Sequence, residues 1–460
     1  MPYLETIKYL ESFINYERIP VWSYKESLKL ERIADFLEII GNPQDSLKCV
    51  HIAGTKGKGS TCAFIAYILK EAGYKVGLYA SPHLSDFRER IRILCSLPTG
   101  EAGKLQASGP GLSGDFEGMI SKGELSALVG KLKPDVEEYN KNSKYGPLSF
   151  FEVYTSMAFV YFKENEVDFA VLETGLGGRL DATNAADSLV CAITPLSYEH
   201  TQKLGNTLKE IASEKSGIIK TSGQIVISAP QEPEAMVVIR KRCREVKARL
   251  YEFGRDIIYK KTIYGFEVKI RAEKYTDLMI QLIGKHQLVN AAIAIGVVEA
   301  LRAYKVKVDV DTIRKGLYNT AWPGRCEVVS RMPYVILDGA QNIASARALK
   351  KTIKKYFRYK KLILVLGVSK DKDIKGICTE LYDLADVVIL TRANNPRAAE
   401  PQVLNEGFEG KESYILNSIK EAKNKAIQLA KKEDLILVCG SLFVVGEFRV
   451  NFQQKRRIHG

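Results

Sequence analysis

Apolar residues near the start of the chain recur three or four positions apart. Ile7 and Leu10 follow this spacing, and so do Ile33 and Leu37. The spacing predicts two amphipathic helices between residues 6 and 40, because it places apolar side chains on one face of a helix. The pattern ends at the sequence GNPQD, whose glycine and proline interrupt a helix.

The pattern then changes to short β-branched runs that alternate with longer amphipathic stretches. The first five runs are CVHIA, KVGLYA, DFAVLET, LVCAIT and QIVISA. Strands that alternate with helices predict a parallel sheet with helices on both faces. Residues 257–283 differ, because YGFEVKI and DLMIQLI alternate polar and apolar residues with no helical stretch between them. This passage predicts a small antiparallel annex.

The alternation of strand and helix restarts near Tyr334, with the runs YVILDGA, KLILVLG, ADVVILT and DLILVCG. This restart predicts a second α/β domain. The boundary is predicted at NTAWPGR, where the helix-breaking Pro323 and Gly324 follow a helical stretch. We therefore predict one domain over residues 1–320 and another over residues 321–460.

Length and composition agree with a globular protein of more than one domain. At roughly 150 residues per domain, 460 residues suit two or three domains. The 46% hydrophobic and 27% charged residues exclude the disordered and fibrous classes. No apolar run approaches the roughly 20 residues of a membrane helix, and the first residues lack a signal-peptide pattern. We expect a cytoplasmic protein with no membrane partner.

The eight cysteines are scattered, and no two are closer than thirteen positions. The chain therefore has no CxxC pair that would indicate a metal or redox site. Most of the cysteines stand in apolar runs, which predicts that they are small core residues.

The charge balance is basic: 68 lysines and arginines against 54 acidic residues give a net charge of +14. Such a balance suits a nucleic-acid binder, a polyanionic ligand or a solvated surface. The basic residues are spread along helical stretches, and only the KRRIHG tail is dense in charge. We favour a solvated surface with no nucleic-acid partner, and a nucleic-acid binder remains a minor alternative.

Residues 100–123 have a composition unlike the rest of the chain. They are rich in glycine and serine and contain few large apolar residues. Such a composition buries little surface, so we predict a mobile insertion here.

The strongest local signal is the stretch CVHIAGTKGKGSTCAFIAYILKEAGY, in which a strand leads through a glycine-rich turn into a helix. Glycines let backbone N–H groups face an anion, and the helix N-terminus adds a positive end. Lys58 can reach the outer phosphates, and Ser60 can place its hydroxyl on Mg²⁺. The strict pattern GxxxxGK[ST] is not met, because Ile52 occupies the first glycine position and Gly59 follows the lysine.

An acidic residue at the end of another predicted strand suits a metal. Glu173 closes the run DFAVLE beside Gly175 and Gly177. A charged residue in this position is placed like the acidic metal ligand of many phosphate-loop sites. An ordinary surface glutamate is the alternative.

Several motifs together identify a family. The sequence GTKGKGS is followed in order by ASPHLSDFRERI, SFFE, ETGLGGRLDATN, EHTQKLGNT, EKSGIIK, KHQLVNA, WPGR, LDGAQN and GSLFVVGEFR. In these motifs the chain resembles the folylpolyglutamate synthase and dihydrofolate synthase family of the Mur ligase superfamily. The resemblance implies a P-loop ATPase-like domain with a parallel sheet, followed by a smaller Rossmann-like domain that closes over ATP and binds glutamate. It also implies an amide ligase that phosphorylates a carboxylate with ATP, after which the amino group of glutamate attacks the acyl phosphate.

The resemblance also implies which residues bind ATP and metal. His200 and a lysine carbamylated by CO₂, Lys215, are the implied ligands of a second Mg²⁺ ion. Arg325 and Asp338 also lie where the second domain would contact the nucleotide. The ATP-binding residues are expected to be Gly54, Thr55, Lys56, Gly57, Lys58, Gly59, Ser60, Asn290, Arg325 and Asp338. The metal site is expected to contain Ser60, Ser81, Glu173, His200 and Lys215, of which Glu173, His200 and Lys215 join Lys58 as the predicted catalytic residues.

The acceptor site is implied by two further matches, which line the pterin end of dihydropteroate or folate in the family. Aromatic side chains can stack on a flat heterocycle, and a carboxylate can accept from its N–H groups. Core packing is an equally good interpretation of the two phenylalanines. The predicted acceptor residues are Ser149, Phe150, Phe151, Glu152, Leu180, Asp181 and Ala182.

We therefore predict a monomeric ligase that attaches L-glutamate to dihydropteroate, to a folate or to both. One alternative is a Mur-type ligase acting on a cell-wall or storage-polymer precursor. Another is a nucleotide-switch or nucleic-acid-binding ATPase, which the glycine-rich loop and the positive charge would suit. One departure from the family is Gln341 in DGAQN, where many relatives have histidine.

Overall fold

The computed structural model describes residues 1–19, 22–96 and 116–458, which form two parallel sheets and a three-stranded annex. The helices are α1 Tyr3–Glu11, α2 Tyr24–Ser27, α3 Leu30–Ile39, α4 Lys58–Glu71, α5 Lys122–Asn142, α6 Phe150–Glu164, α7 Thr201–Leu204, α8 Leu208–Ser216, α9 Pro233–Val246, α10 Lys285–Leu301, α11 Val310–Asn319, α12 Ile343–Tyr356, α13 Ile374–Tyr382, α14 Pro401–Asn405, α15 Ile419–Leu429 and α16 Leu442–Ile458. The strands are β1 Cys49–Ala53, β2 Val76–Tyr79, β3 Ile91–Leu94, β4 Phe169–Glu173, β5 Ser188–Ile193, β6 Ile225–Ser228, β7 Arg249–Glu252, β8 Ile257–Lys261, β9 Phe266–Ile270, β10 Glu273–Leu278, β11 Glu327–Arg331, β12 Tyr334–Leu337, β13 Leu362–Leu366, β14 Val387–Leu390, β15 Glu412–Ile415 and β16 Leu435–Cys439.

The first sheet has seven strands in the order β3-β2-β4-β1-β5-β6-β7. All neighbours pair in parallel except β2 and β3. Every residue of the central strand β1 is buried, including His51, as expected for a strand in a sheet covered on both faces. The five predicted strands of this region are confirmed as β1, β2, β4, β5 and β6. Their carboxyl ends meet at one edge, where ligands bind in open α/β sheets.

Helices cover both faces of this sheet and hold it rigidly. The helices α4, α10 and α11 pack on one face, and α1, α3, α5 and α6 pack on the other. Helix α10 is apolar on almost every side, and its core segment Ala291–Val298 is fully buried. A helix buried in this way gives the phosphate loop that precedes α4 a firm support.

The annex and the second sheet also follow the sequence pattern. Strands β10, β9 and β8 form an antiparallel sheet in that order. The second sheet has the order β11-β12-β16-β13-β14-β15 and is parallel except for β11. Sheet membership changes between Asn319 and Glu327, the stretch that contains the predicted domain boundary.

Four strands were not predicted, and each of them lies at the edge of a sheet: β3, β7, β11 and β15. Edge strands carry more polar residues because one side is not covered. Strand β15 illustrates this, since none of its four residues is buried.

The mobile insertion predicted over residues 100–123 extends too far towards the C-terminus. Residues 97–115 lie outside the described residues, but residues 116–123 belong to the folded domain. Ile93 N–H donates to the carbonyl of Gly118 over 2.7 Å, and Ile120 N–H donates to the carbonyl of Ile91 over 3.0 Å. Ser121 then caps α5 through a reciprocal hydrogen-bond pair with Glu124. These residues therefore extend the sheet at β3 and start a helix.

The cysteines and the helices agree with the expectations from composition. Seven of the eight cysteines are buried, and Cys95 is exposed. Among the described residues, no helix combines the length and the apolar character needed to cross a membrane.

Candidate active site

A cavity of about 570 Å³ lies at the carboxyl edge of the first sheet, between the two sheets. The glycine-rich loop after β1 and Glu173 at the end of β4 form one wall. Arg325, Asp338 and Gln341 form the opposite wall. The two halves of the chain therefore enclose one cavity.

The glycine-rich loop requires glycine at two positions because of both conformation and space. Gly54 has φ 151° and Gly57 has φ 85°, values that side-chain-bearing residues rarely adopt. A Cβ on Gly54 would lie 1.8 Å from Thr194 Oγ1, and one on Gly57 would lie 2.3 Å from Asn290 Oδ1. The loop then enters α4 at Lys58. The first N–H groups of α4 consequently face the cavity as an anion site.

Glu173 stands beside this loop with its carboxylate in the protein interior. It is 6% exposed, and Oε2 accepts from the N–H of Ser81 over 3.2 Å. Burial raises the pKa of Glu173, and the charge of Lys58 opposes that rise. A carboxylate that lacks full solvation next to a phosphate site is a suitable ligand for a cation.

Lys215 lies beneath the loop rather than on the cavity wall. Its ammonium group donates to the carbonyl of Gly54 over 2.9 Å, and the residue is 5% exposed. Burial, followed by the charge of Lys58, lowers the pKa of Lys215 to about 7. The lysine therefore has an accessible neutral form at ordinary pH.

His200 lies where the large cavity meets a second one. It precedes α7 with φ 54°, a left-handed conformation that turns the chain sharply. Burial lowers the pKa of His200, and the negative charge of Glu199 opposes this shift. The positive charges of Lys372 and Lys215 lower the pKa further. The imidazole is therefore neutral and able to accept a cation.

The nucleotide side of the cavity combines residues of both sheets. Asp338 accepts from the N–H of Cys326 over 2.8 Å and from that of Ala340 over 2.9 Å. Burial raises its pKa, and Arg325 opposes the rise. Asn290 donates to Gln287 Oε1 over 2.9 Å, which leaves its carbonyl oxygen against the phosphate loop.

A second cavity of about 180 Å³ adjoins the first. Its walls include the aromatic side chains of Tyr16, Trp22 and Phe151. Lys372 and Arg397 from the second α/β region complete the wall. The cavity therefore offers flat apolar surfaces and positive charge, which suit an aromatic molecule with carboxylates.

The predicted residues of the SFFE motif have different environments. Phe150 is fully buried and contacts the rings of Phe87 and Tyr154. It therefore belongs to the core and does not line the second cavity, which favours core packing over its predicted place in the acceptor site. Its neighbour Phe151 does line that cavity.

Ser149 and Glu152 also line the second cavity, but both already have partners within the protein. They form the reciprocal cap of α6, in which Ser149 N–H donates to Glu152 Oε2 over 2.7 Å. Glu152 accepts from Arg32 over 2.9 Å, with both side chains nearly inaccessible to solvent. These contacts favour a role in shaping the cavity wall.

Asp181 is held by a buried chain of hydrogen bonds. Its Oδ1 accepts from Thr183 Oγ1 over 2.5 Å, and its Oδ2 accepts from the N–H of Leu176 over 2.8 Å. Since the Thr183 hydroxyl gives its hydrogen to Asp181, its oxygen accepts from His51 Nε2 over 2.8 Å. Burial raises the pKa of Asp181. The chain links the central strand to a residue of the second cavity.

Most of the predicted residues are brought together by the fold. Gly54, Lys215 and Phe150 line neither cavity. The predicted residues of the first cavity are Thr55, Lys56, Gly57, Lys58, Gly59, Ser60, Glu173, Asn290, Arg325 and Asp338. Those of the second are Ser149, Phe151, Glu152, Leu180, Asp181 and Ala182, and both cavities share Ser81 and His200.

The oxygen atoms on the cavity wall suit a hard cation such as Mg²⁺ only when a bound phosphate supplies further oxygen ligands. Among the described residues, no group of three or more His, Cys, Asp or Glu side chains is arranged to hold a metal ion. Glu173 and the hydroxyls of Ser60 and Ser81 supply oxygen on the cavity wall. Mg²⁺ commonly takes one or two protein oxygens and completes its shell with phosphate and water. The residues fit that mode of binding.

Sequence reasoning missed several cavity residues. Glu199, His286, Trp22, Lys372 and Arg397 line a cavity, although none was selected. Glu199 could have been found from the sequence, because it directly precedes His200, which was predicted as a metal ligand. Burial opposes ionisation of Glu199, but Lys56, His200 and Lys372 together hold its pKa down at about 2.

Comparison with known families identifies both halves of the chain. The Mur ligase middle domain matches residues 130–298, and the Mur ligase glutamate ligase domain matches residues 324–442. The dihydrofolate synthase/folylpolyglutamate synthase of Bacillus subtilis is 33% identical over 435 residues, which cover 91% of this chain and 94% of that protein.

Solved structures agree over the whole chain. Escherichia coli FolC in complex with DHPP and ADP is similar with a TM-score of 0.83 and 29% identity, over 99% of both chains. A bifunctional folylpolyglutamate synthase/dihydrofolate synthase with Mn, AMPPNP and L-glutamate bound is similar with a TM-score of 0.80 and 29% identity, over 100% of this chain and 98% of the other. With its ATPase-like parallel sheet, its second α/β sheet and these relatives, the chain belongs to the folylpolyglutamate synthase and dihydrofolate synthase family of the Mur ligase superfamily.

Proposed function

We propose that the protein is an ATP-dependent ligase that adds L-glutamate to dihydropteroate, to the glutamate tail of a reduced folate, or to both. One observation carries the proposal: the phosphate-binding cavity and the aromatic, cationic cavity adjoin each other and share Ser81, Gly175 and His200 as lining residues. A carboxylate in the second cavity would therefore meet the terminal phosphate in the first. This is the geometry that transfer of a phosphoryl group to a carboxylate requires.

ATP is bound by the loop before α4 and by the opposite wall. The backbone N–H groups of the loop and the N-terminus of α4 receive the phosphates. Lys58 neutralises the charge that develops on the transferred group, and Arg325 supplies a second fixed cation from the other domain. Asn290 is assigned to the adenine, which its position on the cavity wall permits.

A divalent cation accompanies the nucleotide, as Mn accompanies AMPPNP in the related bifunctional enzyme. Ser60, Ser81 and Glu173 would hold one ion at the phosphates, and we propose a second ion near His200 and Lys215. Bound there, such ions offset the repulsion between the phosphate and the acceptor carboxylate. The protein residues orient the ligands and exclude water from them.

The second ion requires an oxygen ligand that an unmodified lysine lacks. We propose that Lys215 reacts with CO₂ through its neutral amine and becomes a carbamate with two oxygens. The ammonium first releases one proton to solvent. The neutral amine then bonds the carbon of CO₂ as one C–O π bond opens onto oxygen, and the nitrogen releases a second proton, so the cation becomes an anion. The lowered pKa of Lys215 supports this modification.

The acceptor lies in the second cavity, in a mode that the E. coli complex with DHPP suggests. Phe151 and Trp22 provide flat surfaces for a pterin ring. L-glutamate, present in the related Mn and AMPPNP structure, would approach from the side of Lys372 and Arg397. Its amino group then attacks the acyl phosphate and releases phosphate, and the amide bond forms.

The domains are proposed to be residues 1–320 and 321–460, with closure around the WPGR segment. The change of sheet between Asn319 and Glu327 supports this boundary. We also propose that the chain works as a monomer, because both cavities are lined from a single chain.

The test is an assay of ADP release by the purified protein. We expect ADP to form only when acceptor and L-glutamate are both present, with dihydropteroate and tetrahydrofolate compared in parallel. Activity on a peptidoglycan-type precursor instead would favour the Mur-type alternative. ADP release without any acceptor, stimulated by nucleic acid, would favour the ATPase alternative.

A further inference from the structure

Glu199 connects the two domains at the edge of the phosphate loop. Its Oε2 accepts from Lys56 Nζ over 2.9 Å within the first domain. Its Oε1 accepts from Asn342 Nδ2 of the second domain, also over 2.9 Å. The Glu199 side chain is only 11% exposed. Each carboxylate oxygen therefore serves a different domain.

The orientation of Asn342 is fixed by a second role. Asn342 caps α12, and its Oδ1 accepts from the N–H of Ser345 over 3.0 Å. The oxygen of the amide is thus committed to the cap, and the NH₂ group faces Glu199. Because one short side chain performs both tasks, the start of α12 is held at a fixed distance from Glu199.

The segment that carries Glu199 is also bonded to the phosphate loop. The backbone N–H groups of Thr55 and Lys56 both donate to the carbonyl of Pro195 over 3.2 Å. The same segment continues from Glu199 into His200, which faces both cavities. Movement of Glu199 would therefore disturb Lys56 through its side chain and His200 through the backbone.

The charges around Glu199 also come from both domains. Lys56 belongs to the first domain, while Lys372 follows β13 in the second, and both cations stabilise the carboxylate. A buried anion that loses part of such a set becomes costly. The carboxylate is therefore best satisfied when the second domain lies against the first.

We propose that Glu199 is a positioning residue, which uses its bond to Asn342 to transmit closure of the second domain to Lys56 and His200. The proposal rests on the proposed ligase function, because its effect is measured on ligation. It differs from a purely structural role, since it predicts defective coupling of ATP use to product formation. It also predicts that the polarity of the Glu199–Asn342 bond can be reversed.

The test is a reciprocal exchange of donor and acceptor. Asn342→Asp keeps the size and the capping oxygen but places a carboxylate against Glu199. Glu199→Gln keeps an acceptor for Asn342 but removes the charge that pairs with Lys56. In the double variant the glutamine NH₂ can donate to the aspartate, so the bond forms again with reversed polarity.

We expect Asn342→Asp to lower kcat for ligation roughly tenfold, with more ADP released per product, because a buried bond to a charged group is replaced by repulsion. The double variant should recover several-fold of this loss, although each single change alone is harmful. Asn342→Ser is the matched control: it keeps a capping oxygen, cannot reach Glu199, and should gain nothing from Glu199→Gln.

Thermal unfolding establishes that the variants are folded. If Asn342→Asp does not fold, Asn342→Ser tests the contact by itself: it keeps the cap but loses the bond to Glu199, so it should lower kcat and coupling, and wild-type values in it would overturn the proposal. Wild-type turnover and coupling in Asn342→Asp would overturn the proposal. A double variant no better than the product of the two single effects would also overturn it. Absence of ligation in the wild-type protein would instead refute the proposed function, so the two failures are distinguishable.

Discussion

Loss of the Lys215 amine should abolish ligation, and removal of CO₂ should lower the activity of the unchanged protein. In Lys215→Ala the second cation site loses the group that we propose becomes a carbamate. Short carboxylates such as formate or acetate, added to that variant, should restore part of the activity because they supply the missing oxygen ligands. The fold should persist, since the substitution removes a buried ammonium group that is costly to desolvate.

The size of the CO₂ effect follows from the environment of the lysine. The pKa of Lys215 is lowered to about 7 by burial and then by Lys58. At about pH 7.5 such an amine is roughly three-quarters neutral, whereas an ordinary lysine is neutral in about one molecule per thousand. The reactive form is therefore several hundredfold enriched at this position. Because only the neutral amine reacts, carbamate formation should rise with pH through about 7 and then level off.

The assay combines labelled carbonate with kinetics. Incubation with carbon-13 bicarbonate should give a carbamate resonance in the wild-type protein and none in Lys215→Ala. Lys220→Arg is a suitable control, because the ammonium of Lys220 pairs with Asp187 over 2.8 Å and arginine keeps a cation there. Its variant should keep the resonance. Activity in CO₂-depleted buffer should fall and return on addition of bicarbonate.

Near-normal turnover of Lys215→Ala would refute this reasoning. So would a wild-type protein that shows no carbamate resonance while its activity is the same with and without CO₂ between about pH 6 and 8.

Three further predictions concern the loop, the domain interface and the acceptor site. Lys58→Ala should lower kcat/KM for ligation by at least about a hundredfold with an unchanged melting temperature, and normal turnover would exclude the phosphate-loop assignment. Gly446→Ala in α16 should hinder closure and lower kcat about tenfold, because its Cβ would lie 1.9 Å from the Leu84 carbonyl oxygen. The control is Gly130→Ala, which has open space around it on a helix and should leave the kinetics unchanged. Equal kinetics of these two alanine variants would contradict the closure model. Thr183→Val should raise the KM for the acceptor about tenfold and leave the KM for ATP unchanged, because it leaves the buried Asp181 and His51 without their hydroxyl partner. Thr183→Ser should restore the wild-type value, and equal rises in both KM values would indicate a general structural effect.

The interior strands could be predicted from the sequence because both of their faces are buried. Runs such as DFAVL and LVCAI are almost continuously apolar, and this continuity is typical of parallel strands covered by helices. The edge strands β7, β11 and β15 are harder to predict because one side of each lacks a neighbouring strand, which leaves them less buried and more polar. Strand β3 is apolar but only four residues long. The extent of the insertion was misjudged because its last residues gain order from pairing with β3.

The site could be predicted where the chemistry is local. Lys58 and Ser60 follow a strand and a glycine turn within a few residues, so their arrangement is set by the sequence itself. The contact between Glu199 and Asn342 joins residues that are 143 positions apart and lie in different domains. No local sequence pattern predicts such a contact. Phe150 is the converse case: its motif leaves open whether the ring lies in the acceptor site or in the core, and only the packing places it in the core.

The most direct test of the central claim follows an oxygen atom through the reaction. The acceptor carboxylate is labelled with oxygen-18, and the phosphate released during glutamate addition is analysed by mass spectrometry. If the carboxylate attacks the terminal phosphate of ATP and glutamate then displaces an acyl phosphate, one labelled oxygen must appear in the released phosphate for each amide formed. Phosphate without label, accompanied by amide formation, would contradict the account.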